Sequence, residues 1–365
     1  MSDTHHMKDS LVRICGLVNE YVSNCPYILS HSLPEITSGL LAYLMRPGKK
    51  VRPAVLIWSY LACGGSPEHL DRALPIACGL ELTHTWTLIH DDIIDCDPTR
   101  RGGPSMHVIG QQLARDRFGV REPAAAAKYG ETYSILIGDT MHAISVAMML
   151  DSVKAGVSPD TAAECVRYLQ GETMRLLIEG ELLDVNFEYM EPEEVDCDMI
   201  IRMIEGKTSS LLSYSALAGA MLGADSPDTE RPAAKALKEF AFSCGTAFQL
   251  KDDILGLTAD EAQLGKPVGS DLREGKKTYP IYLALSRFGS REKAEFLRAY
   301  GNPSASPEEL QRAAAMIEEC GALRDTEELA VSLVARARPL LSAVEDSRYK
   351  EYILEWGDYM VSRAK

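Results

Sequence analysis

Leu88-Ile89-His90-Asp91-Asp92-Ile93-Ile94-Asp95 and Gln249-Leu250-Lys251-Asp252-Asp253-Ile254-Leu255 are two versions of one pattern, an aspartate pair set among leucine and isoleucine. A helix turns about 100° per residue, so Asp91 and Asp95 stack on one face with Asp92 beside them. Three carboxylates in five residues repel one another unless a cation lies between them. Their apolar neighbours place them at the wall of a buried helix rather than on a solvated stripe. A helix end running into an acidic loop would account for one such motif, but less well for two. The 161 residues between the motifs are far too many for a solenoid period, so the echo reads as two similar sites, on helices able to face each other across one cavity.

Outward from these motifs the apolar spacing stays helical, in Ala54 to Cys63, Ala73 to His90, Ser134 to Leu150, Ser209 to Leu222 and Ala234 to Leu257. Alternating strand patterns are scarce. Ser66-Pro67-Glu68, Ser158-Pro159-Asp160 and Ser306-Pro307-Glu308 each join a capping serine, a first-turn proline and an acid suited to the helix dipole. Gly321 reads as a helix stop. Connections rich in glycine, proline and charge fall at Pro98 to Pro104, Glu191 to Asp198, Ala224 to Pro232 and Asp260 to Lys277. The expected fold is all-α, many mostly antiparallel helices in one domain over residues 1–365, since no composition break divides the chain.

The 365 residues are 46% hydrophobic and 25% charged, an ordinary globular composition that excludes collagen-like, disordered and disulfide-scaffold classes. A net charge of −15 disfavours nucleic acid or an anionic membrane as partner of the whole molecule. No unbroken apolar run reaches the ~18 residues of a membrane span, so no transmembrane segment is expected. The first ten residues lack the apolar core of a signal peptide, and the expected location is cytoplasmic. Nine cysteines without a C-x-x-C pair read as free thiols.

An anionic ligand must then be met by metal or by local basic clusters. Arg46, Lys49, Lys50 and Arg52 supply one cluster around Gly48; Arg100-Arg101-Gly102 follows the first aspartate motif, and Lys266, Arg273, Lys276 and Lys277 follow the second. Each could be a solvated basic loop, but acid pairs trailed by basic loops describe a metal-bridged diphosphate better. Oxygen-only donors suit Mg²⁺, commonly held by one or two carboxylates plus substrate phosphate oxygens. Gly206-Lys207-Thr208 resembles the tail of a P-loop, but residue 201 is isoleucine where the first glycine would fall, and no strand precedes it. His90-Asp91 with His84, His107 and His142 could suggest a metal-dependent phosphohydrolase, which leaves Asp92, Asp95 and the second pair unexplained.

From about Pro34 to about Lys350 the sequence resembles the trans-isoprenyl diphosphate synthases, the polyprenyl synthetase family of the farnesyl and geranylgeranyl diphosphate synthase type. The resemblance rests on five motifs in order: Gly48-Lys49-Lys50-Val51-Arg52-Pro53; Asp91-Asp92-Ile93-Ile94-Asp95 with Arg100-Arg101-Gly102; Lys207-Thr208; Phe248-Gln249-Leu250-Lys251-Asp252-Asp253; and Gly265-Lys266 with Lys276. It implies an all-α isoprenoid synthase fold around a central active-site cavity, and a Mg²⁺-dependent prenyltransferase that condenses isopentenyl diphosphate with dimethylallyl, geranyl or farnesyl diphosphate.

Carried across residue by residue, the resemblance implies that Asp91 and Asp95 bind Mg²⁺, with Asp252 holding a further ion and three ions in the whole site. Asp92 and Asp253 would support these ligands. Lys49, Arg52, His84 and Arg101 would hold isopentenyl diphosphate; Arg100, Lys207, Thr208, Gln249, Lys266 and Lys276 would hold the allylic partner. A homodimer is implied by the resemblance alone. The second motif departs from the family by having Gly256 in place of a third aspartate, and Gly180-Glu181-Leu182-Leu183-Asp184 has glutamate where many relatives have glutamine.

Product length depends on the helix beneath the first motif. Thr87 and Thr83 lie four and eight residues before Asp91, on its face, and their small side chains leave a path open. Trp86 is about 140° from Asp91 on the wheel, a packing position, yet a bulky aromatic here resembles the family's floor for short chains. The expected main product is geranylgeranyl diphosphate, with farnesyl diphosphate as intermediate or co-product. The alternatives are a C25 or longer product, a non-catalytic partner subunit of the same fold, or the phosphohydrolase.

Overall fold

The computed structural model describes residues 4–258 and 270–362, which divide into two compact units: residues 1–167 with 217–229, and residues 168–216 with 230–365. Both are helical. The first unit contains α1 (Thr4–Ser23), α2 (Pro34–Leu44), α3 (Val51–Ala62), α4 (Leu74–Ile94), α5 (Met106–Phe118), α6 (Pro123–Leu150) and α7 (Pro159–Tyr168, whose last residue begins the second unit). Its centre is α4. Residues Pro75 to Thr83 of this helix are buried without a break, because an apolar sequence on every side lets a helix take packing partners all round. Helix α6 lies against it closely enough that a β-carbon on Gly79 would come within 2.8 Å of the Ser145 carbonyl oxygen.

Pro123–Val153 is long and apolar enough to cross a bilayer by length and composition, although no unbroken apolar run in the sequence suggested it. Half of its most apolar 18-residue window is buried within the first unit. One antiparallel ribbon interrupts the helices, pairing β1 (Thr99–Arg100) with β2 (Gly103–Pro104) inside the glycine- and proline-rich connection.

The second unit contains α8 (Met174–Tyr189), α9 (Cys197–Ile204), the first part of α10 (Ser210–Ala224), α11 (Pro232–Thr258), α12 (Ser270–Glu274), α13 (Tyr279–Arg287), α14 (Ser290–Phe296), α15 (Pro307–Glu319), α16 (Ala322–Ala337) and α17 (Arg348–Ser362). Leu257, Leu272, Ile281, Phe296, Leu310 and Ile317 join one cluster that anchors α11 and α12. Between α9 and α10, Glu205–Ser209 forms a π-helical turn, a feature often found at functional sites.

The three serine caps form as the sequence predicts. Ser66 accepts from the Glu68 N–H, Ser158 from Thr161, and Ser306 from Glu309 in a full capping box. Behind Ser66, however, the chain makes only a 3₁₀ segment, Pro67–Arg72, broken at His69. Gly321 takes φ 77° just after α15, as a helix stop requires. The connection expected over Asp260 to Lys277 includes α12; its earlier part, with Lys266, lies outside the described residues.

Candidate active site

The first acidic motif ends α4, and its carboxylates have different surroundings. Asp92 is fully buried; it accepts from the Tyr43 hydroxyl and, at 2.5 Å, from Arg100 Nε. Burial pushes its carboxyl above the usual range, and the Arg100 and Tyr43 bonds work against that. Asp91 is partly exposed with Arg100 at 3.3 Å, and Asp95, the cap residue of α4, is exposed. Asp95 is thus open to solvent and Asp91 only partly so, while Asp92 ties the helix end to the β1–β2 ribbon through Arg100. The Met106 N–H donates to the Tyr43 oxygen at 2.9 Å, completing the relay. Neither Tyr43 nor its part in this relay was signalled by any motif.

The four cations of residues 46–52 separate into two roles. Arg46 donates to the Arg100 carbonyl at 2.9 Å and the Pro104 carbonyl at 2.7 Å, holding the ribbon. Lys50, left-handed at φ 43°, is buried against the Leu44 carbonyl at 3.1 Å and Glu81 at 3.5 Å, both side chains being 2% exposed. Lys49 is exposed, and its carbonyl accepts from the Cys15 thiol at 3.1 Å. Arg52 Nη1 lies 3.0 Å from His84 Nε2, and the Arg101 guanidinium lies over Gly48, where a β-carbon would meet Nη1 at 3.2 Å. Burial, then Arg52 and Arg101, hold His84 well below the usual imidazole range, so it is neutral near pH 7 and its Nε2 accepts from Arg52. Arg52, His84 and Arg101 thus meet in one basic cluster next to the loop of Gly48 and Lys49, and Glu81, which no sequence motif singled out, anchors that loop through Lys50.

Beneath Asp91, Thr87 donates to the His84 carbonyl at 2.7 Å and is half-buried. Thr83 is fully buried and donates to Ser145 Oγ of α6 at 3.1 Å. Trp86 packs against His142 of α6, ring centres 4.6 Å apart, and against His90 at 5.4 Å. The wheel put Trp86 away from Asp91; the structure turns it, with Thr83, toward α6.

In the second unit the π-helical turn carries Lys207 and Thr208. Gly206 and Gly180 are both needed here, because a β-carbon on Gly206 would stand 2.9 Å from the Gly180 Cα. That close approach brings Lys207 Nζ to Asp184 at 2.7 Å and to Glu181 at 3.1 Å, so the glutamate of the 180–184 motif serves as an ion-pair partner. Thr208 donates to Gln249 at 3.0 Å, and Gln249 donates to Asp253 at 3.0 Å. Burial, opposed by Gln249 and reinforced by Asp271, Asp252 and Asp184, pushes Asp253 up to about 7. Asp252 is half-buried and Lys276 exposed, the latter 3.4 Å from Glu274.

Among the described residues no group of three or more His, Cys, Asp or Glu side chains forms a ready-made metal cage. Open pairs of carboxylates such as Asp91 with Asp95 suit Mg²⁺, which keeps waters and takes substrate phosphate oxygens, better than they suit a closed all-protein site.

The polyprenyl synthetase family profile matches residues 34–317. A geranylfarnesyl diphosphate synthase of Aeropyrum pernix is 35% identical over 335 residues, 91% of this chain and 96% of that protein. A geranylgeranyl diphosphate synthase of Methanosarcina mazei is 36% identical over 316 residues, 87% of this chain and 86% of that protein. Among solved structures, the geranylgeranyl pyrophosphate synthase of Corynebacterium glutamicum, complexed with isoprenyl diphosphate and magnesium, aligns with a TM-score of 0.83 at 25% identity, covering 98% of this chain and 99% of that one.

Proposed function

Since the chain belongs to the polyprenyl synthetase family and is a short-chain trans-isoprenyl diphosphate synthase, we propose that its main product is geranylgeranyl diphosphate, with Trp86 as the floor that limits the chain. The observation that carries this reading is the packing of Trp86 on His142, beside a Thr83 sealed against Ser145. A chain growing past Thr87 away from Asp91 meets those two contacts at the α4–α6 boundary. A C25 product is the second reading, favoured by the geranylfarnesyl diphosphate synthase among the relatives.

The proposed division of labour follows the two clusters. Asp91 and Asp95 in the first, and Asp252 in the second, hold Mg²⁺. When bound, Mg²⁺ supplies Lewis-acid stabilisation of the departing diphosphate. Lys49, Arg52 and Arg101 neutralise the diphosphate of isopentenyl diphosphate, and neutral His84 orients Arg52. Arg100, Lys207, Thr208, Gln249 and Lys276 serve the allylic diphosphate, as does Lys266, which lies outside the described residues. Heterolysis of the allylic C–O bond leaves a carbocation and pyrophosphate. The isopentenyl double bond attacks that carbon, and loss of a proton from the adduct to pyrophosphate regenerates an allylic diphosphate five carbons longer. Preorganised cations lower the barrier by meeting charge where it develops. No covalent enzyme intermediate is needed.

Purified protein given labelled isopentenyl diphosphate, farnesyl diphosphate and Mg²⁺ tests the reading, with the products dephosphorylated and separated by chromatography. C20 alcohol is expected from the wild type and C25 or longer from Trp86→Ala. Wild-type C25 product would establish the second reading. An unchanged distribution in active Trp86→Ala would remove Trp86 as the floor.

A further inference from the structure

Position 256 is one turn beyond Asp252 on α11, and residues four apart on a helix are side-chain neighbours. It is also where the second aspartate motif has glycine. The space a side chain would fill there is not empty. A β-carbon built on Gly256 would overlap Asp271 Oδ2, and the next nearest atoms are Asp271 Cγ at 3.3 Å and Oδ1 at 3.9 Å. The three atoms nearest that point therefore all belong to one carboxylate, which reaches α11 from α12. Its backbone is pinned: Leu272 is fully buried in the core cluster, the Lys276 N–H donates to the Asp271 carbonyl at 2.9 Å, and the Gly301 N–H donates to the Leu272 carbonyl at 2.8 Å. The Asp271 charge also raises Asp253, as do those of Asp252 and Asp184.

We infer that Asp271 supplies the third carboxylate of the second acidic cluster, standing where the side chain of residue 256 would stand and serving the same divalent cation and diphosphate as Asp252. The inference rests on the Mg²⁺-dependent synthase reading and deepens it. Gly256 leaves this point to the Asp271 carboxylate: a side chain added at 256 would push that carboxylate aside, and a second carboxylate would also repel it. Adding back the aspartate that the motif lacks should therefore harm the site.

Mn²⁺ binding to the full chain in the presence of inorganic pyrophosphate, followed by electron paramagnetic resonance or calorimetry, tests this without turnover. Asp271→Asn, which keeps the shape of the side chain, is expected to weaken Mn²⁺ binding about 10- to 100-fold, the usual effect of losing a group that supports a metal site. Gly256→Asp is expected to weaken it as well, and Gly256→Asp with Asp271→Gly to recover most of the loss. Wild-type affinity in folded Asp271→Asn, or tighter binding in Gly256→Asp alone, would overturn the inference. Asp252→Ala separates the two levels of the argument. If it abolishes binding while Asp271→Asn does not, only the role of Asp271 falls; if it too binds as wild type, the metal–diphosphate reading of this cluster falls with it.

Discussion

Breaking the Lys50–Glu81 pair should cost the first unit more stability than any surface ion pair in the chain, and it should disturb Lys49 at the same time. Both side chains are 2% exposed, and after Glu81→Leu the ammonium keeps the Leu44 carbonyl at 3.1 Å but loses its counter-ion. A buried charge left without its counter-ion costs about 3–5 kcal/mol. At about 2–4 °C per kcal/mol for a unit of this size, the midpoint of thermal unfolding should fall by roughly 6–20 °C. Lys50→Met should cost about as much, because it strands the carboxylate instead. Replacing both residues removes the two charges together, so Lys50→Met with Glu81→Leu should lie near the wild type, as apolar replacements of buried ion pairs often do. The assay is differential scanning calorimetry of all four proteins, joined to initial rates with varied isopentenyl diphosphate. Since Lys50 holds a left-handed backbone between Lys49 and Val51, the single variants should raise KM for isopentenyl diphosphate more than they lower kcat. Single variants with midpoints within about 2 °C of wild type would refute the reasoning, as would a double variant whose loss equals the sum of the singles.

Two further outcomes are expected. Asp91→Ala and Asp252→Ala should each lower the condensation rate at least ~10²-fold with the helical circular dichroism intact, because each removes stabilisation of the leaving charge; near-full activity in Asp91→Ala would end its assignment to metal. His84 is depressed by burial and by Arg52, so the fold keeps it neutral where an unfolded histidine begins to take up a proton. The unfolded state then binds more protons, so this contribution is complete above about pH 6.5 and is lost as the pH falls below it, at up to ~1.4 kcal/mol per pH unit. His84→Gln, which still offers Arg52 an oxygen but does not titrate, should flatten the fall in unfolding midpoint between pH 7 and pH 5.5; an equally steep fall would mean that other groups govern the acid limb.

The sequence by itself determined the all-α class, because helical spacing, serine caps and the Gly321 stop are local signals, and each of those caps forms. It placed Asp91 and Asp95 on one face of a helix as well, since residues four apart on a helix need no tertiary information to share a face. It could not divide the four cations of residues 46–52. Only packing decided that Lys50 turns inward to Glu81 and Arg46 to the ribbon carbonyls while Lys49 stays outside, because those partners lie 31 to 58 residues away along the chain. The wheel placed Trp86 correctly on α4, but whether that side of the helix meets solvent, substrate or α6 is a property of the neighbour. The gap at Gly256 shows the same limit. A motif read along one helix counts the carboxylates that helix carries, whereas space beside the helix can be filled by any segment the fold brings there, and here Asp271 fills it.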